Sequence, residues 1–337
     1  NGYLEWTSPV LAYQHHEAVK SIDIAPDGTR FVSASSDAIR VWGLESGNLL
    51  MSIGEISPEF DDRAFLVAWS PSGDHIASSH MDNSIRVWDA VNGNLLHTLS
   101  SETEFLDGIL SWSPNGTRIA SVSYGTKIHI WDTATGTLLQ TLNGHEDSII
   151  KVSWSPDSLR LASMGKDFTV CIWTAENGQC LQSVDVDISR VQGLAWNPDG
   201  TLLATGSAQP VNMLNLLIPG NQDSTDSIDI WDVSSGQVQT TLSVLSSTIR
   251  DISWGPKGEL LAVDDGEDTH ILNLESGDLV QTFEGQIMPT AEATWSQDGT
   301  RIATLQGEIV TLWDVGTGGR VLTIVCDGDV HDIWWQT

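Results

Sequence analysis

The sequence predicts an all-β chain of repeated four-stranded antiparallel sheets, filling a single domain over residues 1–337. Three observations predict it. One phrase recurs every 40 to 45 residues with a single longer step, tryptophan falls on two fixed places in that phrase, and turn-forming residues separate its short alternating runs.

The phrase consists of an apolar strand, a Trp-Ser-Pro-Asp-Gly-like turn, a strand of small residues, and a strand ending in Trp-Asp. Its first tryptophan position reads Ile24, Trp69, Trp112, Trp154, Trp196, Trp254, Trp295 and Trp335, with one step of 58 residues among steps of 40 to 45. The second reads Trp42, Trp88, Trp131, Trp173, Trp231, Leu272 and Trp313. Asp follows at Asp89, Asp132, Asp232 and Asp314, and Gly43, Thr174 and Asn273 stand elsewhere. Of the 15 tryptophans only Trp6 and Trp334 fall off these positions, so the pattern is no accident of composition. Internal repetition at this period is the mark of a repeat architecture.

Each part has a physical reason. Alternation such as Lys151-Val152-Ser153-Trp154 and Ile128-His129-Ile130-Trp131 marks strands with a buried side. Pro-Asp-Gly at Pro26–Gly28 and Pro198–Gly200 combines a fixed φ with a residue tolerant of positive φ, which makes a tight turn. A second turn, with Gly at positions such as Gly93, Gly136 and Gly178, follows each Trp-Asp strand. A lone sheet cannot bury both faces, so neighbours stack radially into a propeller.

These features resemble the WD-repeat family over essentially the whole chain. The best copy runs from Gly144-His145 through Trp154-Ser155-Pro156-Asp157 and Ser163 to Asp167 and Trp173. The resemblance implies that His145, Ser163, Asp167 and Trp173 form a hydrogen-bonded set tying strands and loops together. Most other repeats lack the Gly-His pair, and His16 after His15 offers only a loose second copy, so those blades are expected to rely on packing. Seven repeats are complete. The ends hold more strands than seven blades require, because Val330–Trp335 reads as an eighth first strand, Val10–Tyr13 as an additional outer strand, and Tyr3–Trp6 as the end of another Trp-Asp strand. The terminal patterns therefore favour a ring closed by both termini, with an incomplete eighth blade, over seven blades.

Composition narrows the function classes. A formal charge of −30, from 45 acidic and 15 basic residues, repels phosphate backbones and anionic lipid, so neither nucleic acid nor a membrane surface is an expected partner. No apolar run approaches the roughly 20 residues of a membrane helix. The cysteines Cys171, Cys180 and Cys326 have no zinc spacing and no even count to pair. The start at Asn1, without Met or a signal-like segment, leads to the expectation of a processed or excised monomeric domain from a larger multidomain protein. The compartment stays open, with the cytoplasm the favoured expectation.

Chemistry is sparse. Ser163, His145 and Asp167 supply the residue types of a hydrolytic triad, but each sits at its repeat position beside Trp173. Nothing resembles a nucleophile elbow or a phosphate-cradling loop. The acidic loops Asp264-Asp265-Gly266-Glu267-Asp268 and Asp327–Asp332 lack calcium-loop spacing. No catalytic residue, metal or cofactor is expected.

The irregular insertions gather on one face, opposite the uniform Pro-Asp-Gly turns, and such variable loops are where binding resides. The connection Gly54–Phe65 mixes Glu59, Asp61 and Asp62 with Phe60 and Phe65. The stretch Gln209–Asp226 adds Met213, Leu214 and Leu217, either docked on its own propeller or free as an anchor. Glu104, Phe105, Met164, Phe168 and Met288 lie on the same side. The expected function is a non-catalytic platform or sensor for a protein or peptide, basic with apolar anchors. The alternative is a small-molecule or glycan binder at this face or in the central channel; a propeller enzyme is disfavoured.

Overall fold

A computed structural model describes residues 10–12, 19–54, 63–100, 109–122, 125–186, 193–207, 227–243, 249–284, 292–306, 309–325 and 333–335. The described residues contain strands and turns and no helix. They form seven antiparallel four-stranded blades, two of them extended by a fifth strand. The fourth blade shows the plan: an inner strand Ile149–Trp154, a second strand Arg160–Gly165, a third Thr169–Thr174 and an outer Cys180–Asp185. The inner strands of the other blades are Val19–Ile24, Ala64–Trp69, Ile109–Trp112, Leu194–Trp196, Asp251–Trp254 and Ala293–Trp295.

The repeat period becomes packing because each blade buries both faces of its middle strands. Arg160–Gly165 is buried everywhere except at Arg160, and His75–His80 in the second blade follows the same pattern. Apolar side chains gather in seven clusters, each shared by two sheets. One joins Ala68, Ala77 and Val87 of the second blade to Trp112 and Trp131 of the third. Another joins Val19, Phe31 and Trp42 of the first blade to Leu305, Val310 and Ile324 of the seventh.

In every blade the pairing of third and outer strands slips by one residue just before the second tryptophan position, as between Ile172 and Trp173 or Ile271 and Leu272. Such a bulge increases local twist, and no residue type in the sequence announces it. The Pro-Asp-Gly turns need positive φ at their glycines. In the fourth blade Ser158 takes that role at φ 61°, and its hydroxyl accepts a hydrogen bond from Asn115 N of the third blade at 3.0 Å.

The ends correct the expectation of an eighth blade. Val10–Ala12 pairs in parallel with the outer strand Arg320–Val325 of the last blade, and Ile333–Trp335 pairs in parallel with the inner strand of the first. Each described terminal strand adds to the open edge of an existing sheet, so the described strands make seven blades, and Tyr3–Trp6 lies outside the described residues. In this register Trp335 lies opposite Ile24, the one inner-strand position that lacks tryptophan.

Candidate functional site

The strongest local sequence motif becomes a closed hydrogen-bond set between the third and fourth blades. His145 Nδ1 donates to Asp167 Oδ2 at 2.9 Å, and His145 Nε2 meets Ser163 Oγ at 2.7 Å. Trp173 Nε1 donates to the same hydroxyl at 2.8 Å, and Glu146 N donates to Asp167 Oδ2 at 2.8 Å. Burial pulls the His145 pKa down, but the Cys171 thiol and the Asp167 carboxylate outweigh it and leave it raised. Burial would raise Asp167; the Glu146 backbone, the Thr169 hydroxyl and His145 overcome it and leave it lowered.

This geometry copies the order of a hydrolytic triad, with a serine on one imidazole nitrogen and a carboxylate on the other. It lacks what a nucleophile needs. Ser163 is fully buried at 0% exposure, and its oxygen is already the acceptor for the Trp173 indole. What the arrangement does is tie the loop carrying His145 to two strands of the next blade.

The serine–indole bond is general. Ser33–Trp42, Ser78–Trp88, Ser121–Trp131, Thr205–Trp231 and Thr304–Trp313 repeat it at 2.7–2.9 Å. In the sixth blade both partners are apolar: buried Val263 and Leu272 replace the pair. Replacing both ends avoids an orphaned buried donor.

A second set was not foreseen in the sequence. Each inner-strand tryptophan donates through Nε1 to a backbone carbonyl of the preceding blade, one residue before that blade's own tryptophan. The pairs are Trp112 to Ala68, Trp154 to Ser111, Trp196 to Ser153, Trp254 to Ala195 and Trp295 to Ser253, at 3.0–3.2 Å. Trp69 is the exception. Among the described residues its indole nitrogen has no hydrogen-bond partner, and its backbone N donates instead to the buried Asp23 carboxylate at 2.5 Å. The constant spacing of the tryptophans could have suggested a common acceptor, but not which carbonyl.

Several aspartates among the described residues prove to be turn caps. The carboxylates of Asp89, Asp132 and Asp314 accept backbone N–H groups two or three residues on. Hydroxyl and backbone donors hold Asp232 and Asp298 down to about 2. In the acidic loop of the sixth blade, Asp265 accepts from Glu267 N and Asp268 N and pairs with His270. Among the described residues no group of three metal-binding side chains assembles.

Of the proposed partner-binding residues, Glu59, Phe60, Asp61, Asp62, Glu104, Phe105, Met213, Leu214, Leu217 and Met288 lie outside the described residues. The flanks of two loops are described. Gly54 and Ala64 bracket the Gly54–Phe65 connection and line a cavity of about 190 Å³ between the first and second blades, with His80 and Trp88. Ser207 and Ser227, on either side of the Gln209–Asp226 insertion, pair with each other. Phe65 is half-buried in the inner strand of the second blade. Met164 must be withdrawn from the surface set: it is fully buried in the cluster between the fourth and fifth blades. Phe168 is 51% exposed on the turn between second and third strands, with φ 63°.

The architecture defines a seven-bladed β-propeller, and comparison with known proteins agrees. The model described as ELP1 first N-terminal beta-propeller matches residues 54–181, and that described as WD domain, G-beta repeat matches residues 7–43 and 178–209. Over these segments the chain is similar to WD-repeat propellers, as its repeated blades are. WD repeat-containing protein 1 of Mus musculus is 29% identical over 94 residues, 28% of this chain and 15% of that protein. COMPASS component SWD3 of Saccharomyces cerevisiae is 30% identical over 98 residues, 29% of this chain and 30% of that protein. Protein tipD of Dictyostelium discoideum is 28% identical over 120 residues, 35% of this chain and 19% of that protein. The chain therefore aligns with under a third of each of these relatives.

Proposed function

We propose that this chain is a non-catalytic interaction platform that binds a protein or peptide on the loop face opposite the Pro-Asp-Gly turns. The observation that carries this reading is Phe168. A bulky side chain at positive φ costs about 1–2 kcal/mol, and here it also leaves half of an aromatic ring in water. Asn83 occupies the same turn position in the second blade at φ 65°, and Asn tolerates that conformation. Folding alone favours Asn at Phe168. A retained aromatic on a turn fits an anchor for a partner.

Glu59, Asp61 and Asp62 of the Gly54–Phe65 connection would add negative charge to the same face of the ring, and Glu104, Phe105, Met213, Leu214, Leu217 and Met288 would extend the set. Such a face selects a basic partner with apolar anchors. A relative named as a component of an assembly is in keeping with scaffolding. Both chain ends act as the clasp of the ring in this reading, which the two parallel terminal pairings support.

The test is titration of basic peptides bearing one or two aromatic anchors against the chain. Binding should weaken with added salt and with Glu59→Lys, Asp61→Lys and Asp62→Lys combined. Binding indifferent to both salt and charge reversal would remove the acidic face from the account.

A further inference from the structure

We propose that the central channel is a binding site for a small organic cation, with its ammonium or guanidinium head at the Asp251 carboxylate and an apolar body against the tryptophans and prolines beyond. The cavity there has a volume of about 490 Å³ and is walled mainly by the inner strands of the fourth to seventh blades. Small-molecule sites typically have volumes of roughly 300–1,000 Å³.

Its chemistry changes along the axis. Three residues before the inner-strand tryptophans stand Lys151, Asp251 and Glu292. Lys151 Nζ forms an ion pair with Asp251, bridging the fourth and sixth blades across the channel. Toward the Pro-Asp-Gly side the wall becomes apolar, through Trp154, Trp196 and Trp254 with Pro156, Pro198 and Pro256. The small side chains of Ser153, Ala195 and Ser253 between these tiers leave the passage open.

The sign of the ligand follows from charge. Among the described residues of the lining, the carboxylates of Asp251 and Glu292 stand with one ammonium, that of Lys151, inside a chain of formal charge −30. A cleft lined by one sign of charge focuses the field and concentrates counter-ions. Lys151 itself shows that an ammonium is accommodated at Asp251. Asp264, paired across the strand from Asp251, is 1% exposed. Burial, with Asp251 and Asp265 adding to it, pushes this carboxyl up to about 7 against the hydrogen bonds of Gly266 and Thr269.

The experiment is calorimetric titration of the whole chain with two probes of similar body and opposite charge, phenethylammonium and 3-phenylpropionate, at low ionic strength. The ammonium should bind saturably at one site and the carboxylate should not. Asp251→Asn should weaken the ammonium by about tenfold, the cost of roughly one charge-assisted hydrogen bond. Lys151→Met, which removes the competing internal ammonium, should tighten it several-fold. Thermal melts establish that each variant folds, and Glu292→Gln serves if Asp251→Asn does not. Phe168→Asn should leave this binding unchanged, which separates the channel from the loop face. Equal binding of both probes, no saturable binding, or an affinity indifferent to the variants and to salt would overturn the proposal.

Discussion

The second and fourth blades solve one problem from different chain positions. In the fourth, the imidazole over the serine–indole pair comes from the preceding loop, as His145. In the second, the equivalent loop position is Glu55, and the imidazole comes from His80, at the end of the second strand, whose Nε2 meets Ser78 Oγ at 2.7 Å. The rings lie 6.2 Å from Trp173 and 6.3 Å from Trp88. The position of His80 in the fourth blade is Gly165, where an added Cβ would sit 2.5 Å from His145 Nδ1 and 2.6 Å from Asp167 Oδ1. One place for an imidazole exists, and either the loop or the strand fills it. The cation for the turn aspartate changes as well: His145 serves Asp167, whereas Arg86, at the position of Cys171, serves Asp82 at 2.7 Å.

The largest way to break this comparison is to remove its common post. Trp173→Ala should cost about 3–5 kcal/mol, read by denaturant unfolding. Ser163→Ala should cost a similar amount, about 1–3 kcal/mol for each of the two buried partners it orphans, His145 and Trp173. The sixth blade adds a refinement: Ser163→Val should be less damaging in a Trp173→Leu background than on its own, because the apolar pair Val263–Leu272 is already tolerated there. Additivity in that double-mutant cycle would deny the coupling.

Gly165→Ala comes next, with an expected cost of about 1–3 kcal/mol from overpacking. In a His145→Ala background the same change should cost little, since the crowded ring is gone. If Gly165→Ala is equally harmful in both backgrounds, backbone and not the histidine dictates the glycine.

The two blades should also separate by pH. His145 is raised above 6.5, so its stabilising contribution is complete below 6.5 and is lost as pH rises through the raised value. Asp167 is lowered below 3.8, so its contribution holds above 3.8 and is lost as pH falls through the lowered value. In the second blade the turn aspartate Asp82 pairs with Arg86 and not with a histidine. His145→Gln should therefore flatten the change in melting temperature between pH 6 and 8, roughly the His range, and Arg86→Gln should not. An unchanged slope in His145→Gln would place the proton elsewhere.

The sequence carried the architecture because each element is written seven times, and a repeated signal overrides local ambiguity. The His145, Ser163, Asp167 and Trp173 set was legible only through the resemblance to the WD-repeat family, whose motif positions these four residues match. The sequence did not carry His80, since a histidine on a strand gives no sign of substituting for one on a loop. It misplaced Met164 for a physical reason: a middle strand of a propeller has a blade on either face, so alternation no longer separates inside from outside. The blade number was misread at the ends, where a strand's partner is decided by an open edge elsewhere in the ring. Nor could composition reveal that several of the described aspartates are turn caps whose charge is spent locally on backbone N–H groups.

The smallest expected effect on stability bears most directly on function, at the turn where Asn83 and Phe168 share one backbone conformation. The decisive measurement pairs the melting temperature of Phe168→Asn with its affinity for a basic peptide that the unmodified chain binds. The melting temperature should be unchanged or raised, with up to about 1 kcal/mol of strain relieved, and binding should weaken at least several-fold. A variant that melts lower while binding as before would make Phe168 a folding residue and contradict the placement of the partner on this face.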